Sequence, residues 1–114
     1  MPIYFKVNIL VAGGCKEWCV NGTALRHAEM YDIEANEWTP VARLPAPLQS
    51  AKMELLEGRP TIIGGWDDNA KQFNGVLYQY FVETNEWKAH PNVQMRMPRS
   101  SPAVFQVPRD LFAC

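Results

Sequence analysis

The first part of the chain alternates short apolar runs with turn-forming segments, a pattern typical of β-strands. Residues 3–12 are mostly β-branched or aromatic and end at the glycine pair 13–14, which predicts a strand followed by an unusual backbone conformation. Residues 28–33 and 38–41 predict two further strands. The polar segment 15–27 contains an Asn-Gly turn dipeptide and is predicted to be a long loop.

Turn and proline signals set the limits of this first unit. Residues 34–37 predict a tight connection, in which Asn36 tolerates the left-handed backbone conformation. Pro40 cannot donate a hydrogen bond to a neighbouring strand, so the strand at 38–41 is expected at the edge of its sheet. The Pro-Ala-Pro sequence at 45–47 marks the boundary with the segment that follows.

The second part of the chain repeats this order of elements. Residues 50–56 favour a helix on propensity alone. The glycine turn at 57–58 and the apolar run at 59–65 nevertheless favour a β-hairpin. The remaining predicted elements are a loop over 66–75, strands over 76–82 and 87–90 that are joined by a turn at 83–86, and one more strand over 103–107.

Marker residues recur in the two parts at a nearly constant distance. The glycine pairs 13–14 and 64–65 lie 51 positions apart, and Trp38 and Trp87 lie 49 positions apart. A tyrosine precedes each of these tryptophans by seven positions. Self-similarity at a period of ~50 residues is typical of propeller-type repeat proteins.

Composition and charge restrict the class of protein. The chain has 114 residues, a formal net charge of −1 and 47% hydrophobic residues, which suits one soluble globular unit. Its Lys and Arg residues are scattered, whereas nucleic-acid binding needs a clustered basic face. No apolar run approaches the ~18 residues that span a bilayer, and residues 1–6 are too short for a secretory signal. We therefore expect a cytoplasmic protein that binds neither nucleic acid nor membrane.

Three cysteines, Cys15, Cys19 and Cys114, do not suggest a disulfide framework, because their number is odd and no signal sequence precedes them. Cys15 and Cys19 are spaced like half of a zinc site, and His27 could be a third ligand. However, the only other histidine is His90, so the sequence lacks a second ligand pair. We expect free thiols in a reducing compartment, and neither a metal nor another cofactor.

The order of strand, Gly-Gly, loop, strand with tyrosine and then tryptophan resembles the kelch repeat. Asn-Glu-Trp before the fourth strand and Pro-Arg-Ser at 98–100 also resemble it, and the resemblance covers residues 7–107. The matching residues are Gly13, Gly14, Tyr31 and Trp38 in the first repeat and Gly64, Gly65, Tyr80 and Trp87 in the second.

The resemblance implies an all-β fold, a kelch-type β-propeller fragment made of two four-stranded antiparallel blades plus one extra strand. Residues 1–44 are expected to form a first blade, which could lack its innermost strand, and residues 45–98 a second blade. Residues 99–114 would supply an extra or closing strand and a tail, as at the C-terminal end of a kelch domain. Propellers close with about four to eight blades, so the chain is expected to need further kelch blades.

The repeated aromatic residues of such a fold are expected to fill the space between blades, where large aromatic side chains stabilise the stack. Trp38 and Trp87 are therefore predicted to be buried, together with the tyrosines that precede them. The methionines are predicted to be ordinary packing residues, namely Met30, Met53, Met95 and Met97.

Resemblance to kelch proteins implies a protein-interaction module. Many relatives join the propeller to BTB and BACK domains, and there it recruits a substrate to a cullin-type ubiquitin ligase, while others bind actin. The alternatives are a truncated remnant without independent function and, less favoured, a kelch-fold oxidase or isomerase. Such an oxidase needs two histidines at one metal, whereas the repeat register places His27 and His90 near the blade periphery. No hydrolase, zincin or P-loop motif occurs, and we expect no enzyme activity.

The resemblance also places the partner-binding face in the loops that follow the glycine pairs and in the segments that link blades. Exposed Trp and Arg are among the residue types that most often anchor interfaces. Adjacent carboxylates in such a loop are most simply interpreted as solvated. The candidate partner-binding residues are Cys15, Lys16, Gln49, Ser50, Trp66, Asp67, Asp68, Asn69, Arg99 and Ser100.

Overall fold

The computed structural model describes residues 2–5, 8–15 and 24–99. Within these residues every helix or strand element is a β-strand, which agrees with the predicted all-β class. The strands are β1 (Pro2–Phe5), β2 (Asn8–Ala12), β3 (Ala28–Asp32), β4 (Glu37–Pro40), β5 (Leu48–Gln49), β6 (Lys52–Leu56), β7 (Arg59–Ile63), β8 (Trp66–Asp67), β9 (Gln72–Phe73), β10 (Val76–Phe81) and β11 (Glu86–Gln94).

The first repeat is a four-stranded antiparallel sheet in the order β1-β2-β3-β4. The prediction of one strand over 3–12 is wrong, because this stretch contains two strands that pair directly from Phe5 to Asn8. Polar residues at 6 and 8 interrupt the apolar run, so the stretch does not carry one continuous strand pattern. The sheet therefore has an innermost strand, and Pro40 lies in the edge strand β4 as predicted.

The second repeat is also a four-stranded antiparallel sheet, in the order β6-β7-β10-β11. Its first two strands form the predicted hairpin around Glu57 and Gly58, both of which have positive φ. The last strand runs to Gln94 and is longer than the predicted 87–90. A register shift between Val76 and Tyr78 accommodates the additional residues of β11.

A small third sheet was not expected from the sequence. The stretch 66–75, which predicts a loop, contains the strands β8 and β9, and these pair with β5 in the order β5-β8-β9. The Trp66 and Phe73 rings meet edge to face across it, with centroids 5.1 Å apart. Strands of two residues carry no hydrophobic period, so the pattern could not reveal them.

The core lies where the two large sheets meet. Its buried residues come from both repeats and from the linker 41–47 between them. Leu44 and Leu48 are fully buried, and strand β1 lies against β6. The linker is therefore part of the core and joins the repeats side by side, as in a propeller. The buried core side chains are Leu10, Ala12, Ala28, Leu44, Ala46, Leu48, Met53, Ile62 and Tyr80.

Two predictions about packing residues are wrong. Trp38 is 52% exposed, although Trp87 at the equivalent position packs against the core. Met97 is 69% exposed, whereas Met53 is buried and Met30 packs beside it. The two tryptophans differ in exposure because Ala42 of the linker accepts a hydrogen bond from Trp87. No described residue does the same for Trp38.

Several predictions fall on residues that the structure does not describe. They concern the extra strand at 103–107, the tail, and the candidate site residues Lys16 and Ser100.

Candidate partner-binding surface

The two glycine pairs fix the loops and linkers at one end of the sheets. The Gly14 N–H donates to the Leu48 carbonyl at 2.9 Å, and the Gly65 N–H donates to the Arg99 carbonyl at 2.7 Å. Both glycines have left-handed backbones, with φ of 92° and 95°, which residues with a side chain rarely adopt. Each glycine pair therefore connects the loop that begins there to the segment that follows the last strand of the same sheet.

A cleft of about 730 Å³ opens between the two repeats at this end. One wall is the segment 24–27, which leads into β3, and a second is the linker. The third wall is the turn between β8 and β9. We call it the inter-repeat cleft, and it is lined by Ala24, Leu25, Arg26, His27, Arg43, Pro47, Asp68, Asn69 and Lys71.

Hydrogen bonds across the cleft hold its walls together. Arg26 donates through Nε to the Leu44 carbonyl at 2.7 Å, and the Leu44 N–H returns a bond to the Arg26 carbonyl at 2.8 Å. On the opposite side, the Ala24 N–H donates to the Asp68 carboxylate at 3.4 Å. The Asp68 N–H in turn donates to the Pro47 carbonyl at 3.1 Å. The cleft is thus organised by contacts between both repeats and the linker.

Positive charge dominates the cleft. Among the described residues, its charged lining consists of Arg26, Arg43 and Lys71 against the single carboxylate of Asp68, besides His27. Asp68 is only 6% exposed and lies 3.5 Å from the Lys71 ammonium, whereas the two arginines are exposed. An opening with this excess of cations attracts anionic groups.

The predicted site residues fall into separate groups. Asp68 and Asn69 line the inter-repeat cleft. Gln49, Trp66 and Asp67 belong to the small sheet. Ser50 is exposed, with φ of 56°. Arg99 lines a second cleft of about 580 Å³, together with Met95, Arg96 and Met97.

The two adjacent aspartates have turn-building roles. The Asp67 carboxylate accepts the N–H groups of Asn69 and Ala70 at 2.9 and 3.0 Å, which closes the turn between β8 and β9. Burial raises the pKa of the Tyr78 hydroxyl, and the Asp67 charge raises it further. The interpretation of a solvated pair is wrong for Asp68, which is buried beneath Ala24 and Lys71.

Gln49 and Trp66 pair in register between β5 and β8. Gln49 is buried, and its side-chain oxygen has no hydrogen-bond partner among the described residues. Trp66 is half-buried. This part of the small sheet presents an aromatic ring beside a buried amide, close to the glycine turn of the second repeat.

Cys15 is disulfide-bonded, so the prediction of a free thiol is wrong for this residue. The other two cysteines lie outside the described residues. Sequence reasoning gave the odd number of cysteines too much weight. In the described part of the chain, no three His, Cys, Asp or Glu side chains cluster as a metal would require. That part also contains no helix long and apolar enough to cross a membrane.

Sequence reasoning missed most of the cleft. Segment 24–27 lies at the end of one predicted loop, Lys71 lies in the middle of another, and Arg43 precedes the linker prolines. The sequence offered one signal for the cleft. Arg26 lies at the end of the loop that follows the first glycine pair, and Arg43 lies in the segment that links the two repeats. Their convergence depends on the bond from Arg26 to the linker, which no sequence period reveals.

Comparisons with known proteins agree with this architecture. Residues 8–45 match the family model of the kelch motif. Kelch-like protein 31 from Homo sapiens is 29% identical over 59 residues, which cover 52% of this chain and 9% of the relative. Alpha-scruin from Limulus polyphemus is 28% identical over 103 residues, which cover 86% of this chain and 10% of the relative. The chain thus spans a small part of the curated relatives it matches.

A solved structure, that of YjhT, shares the fold. It superposes with a TM-score of 0.69 at 13% sequence identity, over 83% of this chain and 37% of YjhT. Two antiparallel four-stranded sheets joined by a buried linker define a fragment of a β-propeller. The first repeat carries the kelch motif, and the relatives that the chain matches are kelch-like proteins and scruins.

Proposed function

We propose that this chain is a protein-interaction module that binds an acidic segment of a partner protein in the inter-repeat cleft. The observation that carries the proposal is the convergence of Arg26, Arg43 and Lys71 on one opening between the repeats. Kelch-like relatives support the general class of interaction module.

Geometry favours carboxylates as the recognised groups. A guanidinium presents parallel N–H donors that match a carboxylate, and such charge-assisted pairs are the stronger hydrogen bonds. Arg26 is held through Nε by the linker carbonyl, so the plane of its guanidinium is fixed before a partner arrives. Preorganisation of this kind lowers the entropic cost of binding. Arg43 is exposed at the mouth, where it can meet an incoming anion first.

Residues around the cleft would extend the contact. Asn69 stands exposed at its rim, and the half-buried Trp66 lies in the adjoining strand β8. Tryptophan and arginine are among the residue types enriched at the positions that dominate binding energy in protein interfaces. The exposed Ser50 and Arg99 would complete the proposed surface, and the buried Gln49 would support it through its pairing with Trp66.

For the whole protein, we propose the role of a substrate-recruiting propeller in a BTB–kelch adaptor of a cullin-RING ubiquitin ligase. Similarity to Kelch-like protein 31 supports this role, and an actin-binding kelch protein is the second candidate. The proposal includes a cytoplasmic location, no enzyme activity, and blades at 1–44 and 45–98 followed by a closing segment at 99–114.

Fluorescence anisotropy with a labelled acidic peptide, rich in Asp and Glu, tests the proposed binding. The parent chain is expected to bind this peptide and not a lysine-rich peptide of equal length. Arg43→Glu should weaken binding by about tenfold or more, equal to about 1.4 kcal/mol. Lys88→Glu is the matched control, because Lys88 is an exposed cation on the outer strand β11, away from the cleft. Equal binding by the Arg43 variant and the parent would reject the cleft as the site.

A further inference from the structure

Asp68 is an acidic residue in a cleft that otherwise carries positive charge. It lines the inter-repeat cleft with Arg26, Arg43 and Lys71, yet only 6% of the residue is exposed. A carboxylate beside an anion-binding opening opposes the binding of an anion, because like charges repel. The position of Asp68 therefore indicates a role other than direct contact with an acidic partner.

Hydrogen bonds to the other two walls of the cleft hold Asp68 in place. Its Oδ2 atom accepts the Ala24 N–H at 3.4 Å, which joins the turn between β8 and β9 to segment 24–27. The Asp68 N–H donates to the Pro47 carbonyl at 3.1 Å, which joins the same turn to the linker. Asp68 therefore could not move toward the solvent without losing its contacts to both walls.

Lys71, in the same turn, is the exposed member of the pair that it forms with Asp68. Its side chain is 59% exposed, against 4% for the side chain of Asp68. The distance from Lys71 Nζ to Asp68 Oδ1 is 3.5 Å, whereas charge-assisted hydrogen bonds are roughly 2.7–2.9 Å long. A lysine carries its charge on a flexible stem, so this ammonium can contact either Asp68 or an anion that enters the cleft.

A shift of the Lys71 ammonium toward a bound anion would cost free energy at Asp68. A buried carboxylate that loses a neighbouring cation keeps the cost of its desolvation and loses part of the compensation. This cost reduces the free energy that Lys71 gains when it contacts a carboxylate of the partner. Asp68 thus competes with an acidic partner for the same ammonium.

The two arginines of the cleft have no such competitor among the described residues. Arg26 donates its Nε to a neutral group, the Leu44 main-chain carbonyl, and Arg43 is exposed. None of the ion pairs in the described part of the chain includes either arginine. Both can therefore contact a carboxylate of the partner without the cost that Asp68 imposes on Lys71.

We propose that Asp68 limits the affinity of the inter-repeat cleft by holding Lys71 back from the bound acidic segment. This role rests on the proposed function, because it concerns the strength of binding in the same cleft. Asp68 acts through Lys71, so it is a positioning residue and not a contact of the partner. Arg26 and Arg43 supply most of the attraction, and the partner dissociates more readily than the number of cations alone would suggest.

Fluorescence anisotropy with the labelled acidic peptide compares Asp68→Asn with the parent. Asparagine keeps a side-chain oxygen that can accept the Ala24 N–H, and it removes the negative charge. The variant should bind at least about fivefold more tightly, because Lys71 can then contact the peptide without leaving a buried charge behind. A merely structural role would give the opposite result, since a disturbed cleft binds its partner more weakly.

Glu86→Gln is the matched control for the loss of one negative charge. Glu86 lies 4.0 Å from the Lys88 ammonium on the outer strand β11, so a lysine–carboxylate pair is changed in both cases. This control should bind within about twofold of the parent, because exposed charges outside the cleft are screened by salt. Asp68→Ser, which also lacks the charge, repeats the test if near-ultraviolet circular dichroism shows that Asp68→Asn does not fold.

Lys71→Met shows whether Asp68 acts through Lys71. Methionine keeps an unbranched side chain and lacks the charge. In this background Asp68→Asn should tighten binding by about twofold or less, since no ammonium remains to be released. Direct repulsion between Asp68 and the peptide would instead give the same gain in both backgrounds.

The possible outcomes separate this role of Asp68 from the proposed function. If the parent binds the peptide and Asp68→Asn binds equally or more weakly, the role of Asp68 is wrong and the proposed function stands. An equal gain in Glu86→Gln, or an undiminished gain in the Lys71→Met background, would also overturn the role. If neither the parent nor Asp68→Asn binds, the proposed function itself is rejected, and the role of Asp68 with it.

Discussion

Trp87 of the second repeat donates its indole N–H to the main-chain oxygen of Ala42 in the linker, at 2.8 Å. The same linker residue donates its own N–H to the Asn85 side-chain oxygen, so both main-chain polar groups of Ala42 are bonded to the second repeat. Trp87 therefore connects the second repeat to the linker, and it also packs within its own sheet.

Trp87→Ala should destabilise the chain far more than Trp38→Ala does. Removal of Trp87 deletes core packing and the bond to Ala42, and we expect a loss of about 3 kcal/mol. Removal of the exposed Trp38 deletes chiefly its ring contact with Tyr31, which is worth about 1 kcal/mol. Urea unfolding measures both losses in free energy. Equal losses would show that the two tryptophans have the same surroundings.

The turn asparagines allow the bond between repeats to be measured separately. Asn85→Ala and Asn36→Ala each place alanine at positive φ and each remove a bond from a tyrosine hydroxyl. Only Asn85→Ala also removes the bond from the Ala42 N–H. The difference between the two losses in unfolding free energy should be about 0.5–1.5 kcal/mol. A difference of zero would mean that this bond adds nothing to the docking of the linker.

Gly65 and Gly14 should differ in their tolerance of alanine. Both have positive φ, so alanine costs about 1–2 kcal/mol of backbone strain at either position. A β-carbon at Gly65 would also lie 2.8 Å from Ala51 Cβ and 3.0 Å from the Gln49 carbonyl oxygen, whereas Gly14 has nothing within 4 Å. Crowding should add about 1–3 kcal/mol at Gly65. Thermal unfolding of the two variants compares them, and a more damaging change at Gly14 would contradict this packing.

Stability should fall at alkaline pH because of Tyr78 and Tyr80. Burial raises the pKa of both hydroxyls above their ordinary value of 10.0, and Asp67 contributes at Tyr78. Above pH 10.0, the folded state holds these protons more tightly than the unfolded state does. The free energy of unfolding is therefore unaffected by these groups below pH 10.0, and it falls as the pH rises from there through the folded-state pKa.

The double variant Tyr78→Phe, Tyr80→Phe provides the comparison for this alkaline loss. Its unfolding free energy should decline less steeply above the ordinary tyrosine pKa than that of the parent. Phenolate absorbance recorded during the same titration reports when the hydroxyls ionise. Identical alkaline slopes for parent and variant would assign the loss to other groups.

The sequence was sufficient for the repeat and its turns, because these depend on local constraints. The glycine pairs recur where the backbone needs positive φ, and Asn36 and Asn85 occupy the predicted left-handed turn positions. The hairpin at Glu57 was favoured over a helix by its following glycine, and the structure confirms it.

The site could not be predicted in the same way, because it depends on contacts between distant segments. Asp68 is buried by Ala24, which lies 44 positions earlier in the chain. Trp38 and Trp87 stand in nearly identical local sequences, and only their neighbours in space distinguish them. Polar residues in irregular segments have no period, so the convergence of Arg26 and Arg43 could not be derived from spacing.

Nuclear magnetic resonance titration with the acidic peptide tests most directly where a partner binds. Backbone amide signals of the cleft walls should shift, those of Leu25, Arg26, Asn69 and Lys71 above all, while the signal of Lys88 on the outer strand should stay unchanged. The Arg43→Glu variant should show no such shifts at the same peptide concentration. Unchanged cleft signals in the parent, or shifts confined to the outer strands, would contradict the assignment of the inter-repeat cleft as the partner-binding site.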